Sequence, residues 1–251
     1  MLIRPSRLLP DYVELRCVSN FTFLRGASHP EELVERAKEL GYQALAITDE
    51  CSMAGVVRAH VAAKAAQLPL LLGSQFQIKA RSAAESAFTL VVLAQNLNGY
   101  GNLCAFITKL RRSSEKGTYH LTLDSISGTE LADCVALLCP DRTATDTQLE
   151  AAGRWVLGSF TGRCWIGVDQ PRQLDDELWL HRMRCLSELT ALPLVAVGDV
   201  HMHVRSRKPL QDVLTATRVG KPLTECGHAL QRSAEQHLRT PAPRCLAYKG
   251  W

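Results

Sequence analysis

The sequence lacks any apolar run long enough to cross a bilayer or to form the core of a signal peptide. No segment approaches about 18 uninterrupted apolar residues. The basic residues Arg4 and Arg7 near the start are not followed by an apolar stretch of signal-peptide length. The pattern argues against export and membrane insertion, so we expect a cytoplasmic chain with no membrane partner.

The sequence also lacks paired cysteines and a large excess of charge of one sign. Its nine cysteines are odd in number and none is spaced as CxxC, which argues against a zinc ribbon or a disulfide framework. We expect mostly buried, reduced thiols. The net charge of +4 comes from 29 basic and 25 acidic residues. Such a charge is weaker than that of a self-sufficient nucleic-acid binder, so charge alone does not indicate a DNA partner.

What the sequence does contain is ample apolar material. A chain of 251 residues, 46% hydrophobic and 22% charged, fits one large α/β domain. Short apolar runs predict buried strands at 12–18, 43–47, 68–72, 88–94, 134–139, 164–168 and 192–197. Patterns of helical period lie at 30–40, 53–66, 99–112, 145–159, 174–190 and 205–218.

This order of elements predicts the architecture. The alternation of seven strands with six helices favours parallel strands in a closed or nearly closed (β/α) barrel. The first helix is the most clearly marked, because Pro30 suits a first turn, Glu31 and Glu32 face the positive end of the helix dipole, and Gly41 ends the pattern. Polar interruptions at 79–86 and 113–133 are expected to be loops or small inserted elements.

In a barrel of this type, chemistry belongs at the carboxyl ends of the strands. The polar residues directly after the apolar runs are at 19–20, 48–50, 73–75, 95–96, 169 and 198–203. Asp49 and the pair Asp199 and His201 stand out, because carboxylate and imidazole groups are ligands for Zn, Mn or Mg. Residues two apart on an extended segment also point the same way.

A set of ordered blocks resembles a known family. They are LRCVSNFTFLRGA at 15–27, PEEL at 30–33, ALAITDE at 44–50, GVVRAH at 55–60, LGSQF at 72–76, LAQNLNGYGNL at 93–103 and GDVHMH at 198–203. In this order they resemble the PHP (polymerase and histidinol phosphatase) domain at the N-terminus of bacterial C-family DNA polymerases. The blocks TDEC at 48–51 and VHMHVRSR at 200–207 resemble its damage-induced, error-prone branch.

The resemblance implies an α/β fold of the PHP type, a distorted (β/α)7 barrel. It covers about residues 10–240, so we assign 1–240 to a PHP domain. Residues 241–251 form a tail that no longer resembles the family. A frameshift, a truncated gene or a deliberately shortened chain would each produce such a tail.

The resemblance also shows where the metal pattern of the family is missing. Metal-binding PHP domains open with a His-x-His pair, where this chain has Arg16 and Val18. Valine has no donor atom, and a guanidinium repels a cation. The further departures are Glu50 and Thr89, where the family has histidine, and Gln75, where it has glutamate. Asp49, Asp199 and His201 remain as a remnant metal site, and no catalytic residue is assigned.

Each remaining residue also has a purely structural interpretation. An aspartate at a strand end is often a helix cap or turn former, and His201 is expected to be a hydrogen-bonded histidine in the barrel mouth rather than a working ligand. A buried thiol is favoured over a nucleophile for Cys51, because no histidine is placed beside it by sequence. Arg16 is expected to pair with Asp49 or Asp199 in place of a metal.

The resemblance implies function only at the level of a longer protein. Polymerases of this family carry palm, thumb and fingers after the PHP domain, and palm carboxylates bind the two Mg ions of nucleotidyl transfer. We therefore expect no cofactor in this chain, with Zn or Mn at the PHP site disfavoured. The expected partners are the remaining polymerase domains, DNA, other mutagenesis proteins and the sliding clamp.

Two alternatives stay open beside a structural role in translesion synthesis. One is a metal-dependent phosphoesterase or 3′-5′ exonuclease of the PHP type. The other is a truncated protein that retains only a partner-binding surface.

Overall fold

The computed structural model describes residues 11–80, 82, 85 and 87–240. The strands are β1 (Val13–Glu14), β2 (Ala44–Ile47), β3 (Leu70–Ile78), β4 (Phe88–Ala94), β5 (Cys134–Pro140), β6 (Cys164–Val168) and β7 (Leu194–Ala196). The α-helices are α1 (Pro30–Glu39), α2 (Val56–Ala66), α3 (Leu97–Arg112), α4 (Asp146–Ser159), α5 (Asp176–Thr190) and α6 (Lys208–Val219). All seven predicted strands and all six predicted helices are confirmed, most with boundaries shifted by a few residues. Strand β3 continues to Ile78, well past its predicted end at 72, so residues 73–75 lie within the strand and not after it.

The strands form one nearly closed barrel. They lie side by side in chain order from β1 to β7, and a parallel bridge between Cys17 and Val200 joins the two edges. At this seam the Val18 N–H donates to the Val200 carbonyl at 2.9 Å, and the Val200 N–H donates to the Arg16 carbonyl at 3.0 Å. The seven-stranded α/β barrel expected from the sequence is confirmed.

The expectation that all strands are parallel is wrong for β4. This strand runs antiparallel to both β3 and β5, while the other neighbours pair in parallel. Only residues 79–87 connect β3 to β4, which is too short for the dozen or more residues that a parallel crossover needs. Within the predicted loop at 79–86, residues 81, 83, 84 and 86 lie outside the described residues.

Strand β1 is shorter than the predicted run at 12–18, and the side chain of Glu14 explains why. Its fully buried carboxylate accepts the Gly198 N–H at 2.6 Å and the Arg16 N–H at 3.1 Å. The Arg16 amide is therefore bound by a side chain instead of a neighbouring strand. This interaction ties the end of β1 to the segment after β7 and sets Arg16 at the rim.

The apolar core is divided by the barrel wall. On β4, Leu90 and Val92 pack in the large cluster that includes residues of α3, α4 and α5. The alternate residues Val91 and Leu93 join a smaller cluster with Val197, which follows β7 on the far side of the barrel. Because side chains alternate across a strand, the first pair faces the helices and the second faces the barrel interior.

Helix α1 begins as its sequence predicts. Pro30 lies in the first turn, and the Glu32 carboxylate accepts the His29 N–H at 2.8 Å, closing a capping box. Leu33 and Ala37 are fully buried, so the predicted apolar face packs on the barrel. Gly41 adopts a positive φ of 76°, the left-handed conformation in which glycine ends many helices.

Four further expectations concern the inserted segment, the C-terminal tail, the cysteines and membrane spans. The stretch 113–133 contains two short 3-10 turns, Leu123–Ser125 and Thr129–Leu131, as expected of a small inserted element. The tail at 241–251 lies outside the described residues, and so does one of the cysteines. The other eight cysteines are free and six of them are buried. In the part of the chain that the structure describes, no helix is long and apolar enough to span a membrane.

Candidate functional site at the barrel mouth

Polar residues that follow β1, β2 and β7 meet at one rim of the barrel. The link is Cys17, whose carbonyl accepts the Thr48 N–H at 2.7 Å and which forms the bridge to Val200. Thr48 directly precedes Asp49, and Val200 lies between Asp199 and His201. The three residues assigned to a remnant metal site therefore lie at the same end of the barrel, where the chemistry of such folds is found.

The Arg16 guanidinium contacts three of the positions singled out in the sequence. Its Nε lies 3.1 Å from Asp199 Oδ1 and donates to Gln75 Oε1 at 3.2 Å. Its Nη2 donates to Thr89 Oγ1 at 3.3 Å. The side chains of Arg16 and Asp199 are only 13% and 15% exposed, so this is a largely buried ion pair. Of the two carboxylates considered for Arg16, it pairs with Asp199.

Arg16 and Asp199 favour each other's charged form. Burial alone would lower the pKa of Arg16, but the negative charge of Asp199 raises that pKa above its ordinary value. Burial alone would raise the pKa of Asp199, but the charge of Arg16, with smaller contributions from His201 and Gln236, holds it well below its usual range. Both side chains are therefore ionised at neutral pH.

Both carboxylate oxygens of Asp199 have partners within the protein. Oδ1 faces Arg16 and also lies 3.3 Å from His201 Nε2, while Oδ2 accepts a hydrogen bond from Gln236 Nε2. The residue has a φ of 45°, a left-handed conformation that aspartate tolerates better than most residues. His201 Nδ1 is buried and has no partner among the described residues.

Asp49 lies in a separate set of hydrogen bonds. Its carboxylate accepts the Ser19 N–H, the Ser19 hydroxyl and the Thr22 hydroxyl, each at 2.7 Å. The residue is 1% exposed, and burial raises its pKa although these hydrogen bonds oppose the shift. A Cβ at Gly55 would lie 2.7 Å from Asp49 Oδ2. Asp49 thus holds the loop after β1 against the start of α2.

Among the described residues, neither of the two other departures from the family pattern forms a hydrogen bond or ion pair with Asp199. Val18 is 1% exposed, and its backbone belongs to the seam of the barrel. Glu50 accepts a hydrogen bond from the Tyr119 hydroxyl at 2.8 Å, and its second oxygen lies 3.4 Å from Arg25 Nε. Glu50 therefore belongs to a neighbouring cleft on the outer side of the rim.

The donor set does not fit a bound metal. The acceptor atoms of Asp199, Gln75 and Thr89 converge on a guanidinium, a cation that cannot lose its proton. The oxygens of Asp49 are saturated by the hydroxyl and amide donors of the neighbouring loop. Among the described residues, no three His, Cys, Asp or Glu side chains come together in a group that could hold a metal ion. Asp199 and His201 are brought together, but Asp49 does not join them in such a group.

A cavity of about 470 Å³ opens over Arg16 and Asp199, and its far wall carries a second charge network. Arg142 lies 2.8 Å from Asp176 and 3.8 Å from Asp169. Burial raises the pKa of Asp169, although the charge of Arg142 opposes the shift. Each buried guanidinium at the mouth therefore faces at least one carboxylate.

Two residues of the site were not identified from the sequence. Gln77 donates to Thr89 Oγ1 at 2.8 Å. It lies two residues after Gln75 on β3, so the two side chains are on the same face of the strand. Gln236, which binds Asp199, comes from a loop 37 residues further along the chain and carries no local signal. Cys51 behaves as expected of a structural thiol, because burial raises its pKa to about 11 and disfavours the thiolate.

Comparison with known proteins shows which family, sequences and solved structures this chain resembles. The PHP domain model matches residues 14–141. An error-prone DNA polymerase of Ralstonia nicotianae is 48% identical over 250 residues, which are 96% of this chain and 23% of that protein. The chain thus spans about a quarter of the length of the curated relatives it matches.

Two solved structures share the fold at low sequence identity. A protein from Bifidobacterium adolescentis assigned as a metal-dependent phosphoesterase has a TM-score of 0.56 at 15% identity, covering 77% of this chain and 89% of that one. An amidohydrolase from Chromobacterium violaceum, solved with sulfate and no metal, has a TM-score of 0.60 at 16% identity, covering 76% and 87%. At this identity the likeness shows the barrel fold alone.

Proposed function

The chain belongs to the PHP domain family, and from this premise we propose that it is the PHP portion of an error-prone DNA polymerase, with a structural role. The proposal draws on the Ralstonia polymerase, which matches nearly the whole chain. In the longer protein, the remaining polymerase domains would hold Mg, the primer and the incoming nucleotide. This chain would support them without carrying out chemistry, as part of DNA synthesis across damaged templates in the cytoplasm.

The observation that carries the structural role is the position of the Arg16 guanidinium. It contacts Asp199, Gln75 and Thr89, which are positions where a metal-binding relative would place ligands. A guanidinium supplies positive charge and directed N–H donors, so it ties strands β1, β3 and β4 to the segment after β7. It cannot lower the pKa of a bound water as a metal does.

A metal-dependent phosphoesterase or 3′-5′ exonuclease is the second candidate. It is favoured by the retained pair Asp199 and His201, by the cavity over them, and by the fold shared with a protein assigned as a phosphoesterase. Hydrolysis by clustered metals needs several anionic or imidazole donors and open coordination positions. Of the three retained donors, Asp199 is paired with Arg16, and Asp49 accepts hydrogen bonds from Ser19 and Thr22, so we rank this function second.

Metal analysis and a hydrolysis assay on the purified chain separate the two functions. The structural role predicts less than stoichiometric Zn or Mn after dialysis, and no cleavage of a 3′-mismatched primer in added Mn or Zn. Asp199→Ala is the control, because an authentic metal-dependent activity would disappear in that variant. Reproducible hydrolysis that is lost in Asp199→Ala would refute the structural role and support the phosphoesterase.

A further inference from the structure

A second cleft lies beside the barrel mouth, on the side to which Glu50 points. We call it the Tyr119 cleft. It has a volume of about 360 Å³ and is lined by Phe21, Phe23, Arg25, Glu50, Lys79, Arg111 and Tyr119 among others. Gln77 lines both this cleft and the mouth cavity, but neither Arg16 nor Asp199 is among the described residues that line the cleft. The cations of the cleft can therefore be considered separately from that pair.

The cleft carries a surplus of positive charge. Of the described residues that line it, Arg25, Lys79 and Arg111 are cationic and Glu50 is the single carboxylate. Both oxygens of Glu50 are already engaged, one by the Tyr119 hydroxyl and one by Arg25. The cleft therefore has a formal charge of +2, in contrast to the mouth, where the buried guanidinium groups face carboxylates.

Arg111 is fixed without being neutralised. Its guanidinium donates to the carbonyl oxygens of Cys51 at 3.2 Å, Thr118 at 3.3 Å and Glu50 at 3.4 Å. Among the described residues no carboxylate lies within ion-pair distance of Arg111 or Lys79. Neutral carbonyls orient a guanidinium but leave its positive charge available, which is the arrangement that suits a phosphate ligand.

An aromatic ring stands exposed next to these cations. Phe23 is 80% exposed, at the tip of the loop after β1. The loop is held in shape, because the Thr22 carbonyl accepts the N–H groups of Arg25 and Gly26 at 3.0 and 3.2 Å. A Cβ on Gly26 would lie 2.0 Å from the Ser19 carbonyl, so the two arms of the loop are in close contact. A rigid loop thus presents the ring to solvent.

Unneutralised cations beside an exposed aromatic ring are the combination that binds single-stranded nucleic acid. The cations contact the backbone phosphates and the ring stacks on a base, without sequence preference. We propose that the Tyr119 cleft binds single-stranded DNA, with phosphates at Arg111 and Lys79 and one base on Phe23. The binding site is inferred from the residues of the cleft. The choice of DNA as the nucleic acid that it binds rests on the proposed function.

Binding of a fluorescein-labelled 12-nucleotide single strand to the purified 251-residue chain, followed by fluorescence anisotropy, tests this proposal. Affinity should fall with salt, with a log–log slope near −1.4 for about two contacted phosphates. Phe23→Ala should weaken binding about 10-fold, in line with the loss of one stacked base. Lys79→Gln should weaken binding and reduce the salt slope by about 0.7. Both side chains are exposed, so the variants should keep the fold.

Two matched control variants test whether a loss of affinity is specific to this cleft or follows from removing any exposed cation or apolar side chain. Leu97→Ala removes an apolar side chain that is 83% exposed on α3, and Lys64→Gln removes an exposed cation on α2. Both should bind the strand as the parent chain does. The parent chain should bind a strand of the same length with abasic sites about 10-fold more weakly than the normal strand. Phe23→Ala should bind the normal and the abasic strand with equal affinity.

Several results would overturn the proposal. The proposal of a specific cleft would be excluded if the parent chain did not bind the strand at about 25 mM salt. It would also be excluded if Leu97→Ala and Lys64→Gln lost as much affinity as Phe23→Ala and Lys79→Gln. Equal affinity for the abasic strand would exclude stacking on Phe23 and point to contact of that ring with another protein domain. None of these results depends on metal content or on the stability of the Arg16 and Asp199 pair, so they leave the structural proposal to its own test.

Discussion

Removal of the charge on Asp199 should destabilise the domain, because it leaves the Arg16 guanidinium without its carboxylate. At a separation of 3.1 Å and an effective dielectric constant of about 20, the attraction is about 5 kcal/mol before the cost of desolvation. Loss of one partner of a buried pair typically costs about 3–5 kcal/mol. Because this pair is slightly exposed, we expect about 3 kcal/mol for Asp199→Asn, which corresponds to a fall in Tm of roughly 6–12 °C.

A double-mutant cycle assigns this energy to the pair. Urea unfolding of wild type, Asp199→Asn, Arg16→Met and the double variant should give a double-variant penalty smaller than the sum of the single ones. The coupling should be about 1 kcal/mol or more. Arg16→Met keeps much of the side-chain volume, so the loss reflects charge and hydrogen bonds rather than a cavity.

The exposed pair Glu150 and Arg154 on α4 supplies the matched control. Its atoms approach to 2.6 Å, but the Arg154 side chain is 65% exposed. Solvent screening limits such pairs to about 0.5 kcal/mol, so Glu150→Gln should have little effect. If Asp199→Asn is as mild as Glu150→Gln, or if the cycle is additive, the guanidinium does not hold the barrel mouth together.

Because the folded-state pKa of Asp199 is lowered, its stabilisation is present above the unfolded value of 3.8 and is lost as pH falls; the penalty of Asp199→Asn in urea should therefore shrink between about pH 5 and about pH 3. Gly55→Ala should cost about 1–3 kcal/mol in the same assay, since its Cβ would lie 2.7 Å from Asp49 Oδ2; an unchanged midpoint would mean that the loop yields freely. Burial raises the pKa of Cys51 to about 11, so mass spectrometry after iodoacetamide treatment at about pH 8 should find the half-buried Cys185 modified before Cys51, and the reverse order would contradict the structural assignment of that thiol.

The helical and strand patterns could be read from the sequence because each depends on neighbours a few residues apart. The apolar runs marked all seven strands, and Pro30 with Glu32 marked the start of α1. The predicted parallel direction is wrong for β4, because the alternation of strands and helices suggested a crossover after each strand. The connection at 79–87 is itself the sign of antiparallel pairing, since a crossover helix does not fit in it.

The candidate site was predictable in its composition and only partly in its contacts. Val18 cannot ligate a metal in any fold, and a guanidinium at Arg16 repels one, so the missing ligands follow from residue chemistry. The partner of Arg16 was narrowed to two carboxylates by the resemblance. The contact of Gln236 with Asp199 was not foreseen, because nothing in the loop at 220–240 marks it as part of the rim.

The sequence by itself determined which residues bear donors and where the strands and helices lie, and it predicted a rim with too few ligands for clustered metals. The tertiary structure decided that Arg16 binds Asp199, Gln75 and Thr89. It also decided that Asp49 accepts hydrogen bonds from Ser19 and Thr22, and that Phe23 is exposed in the same cleft as Arg111. The physical reason is range. Local patterns follow from periodicity and backbone preference, whereas each of these contacts joins residues far apart in the sequence that only the folded barrel brings together. Burial then favours the pairing of opposite charges.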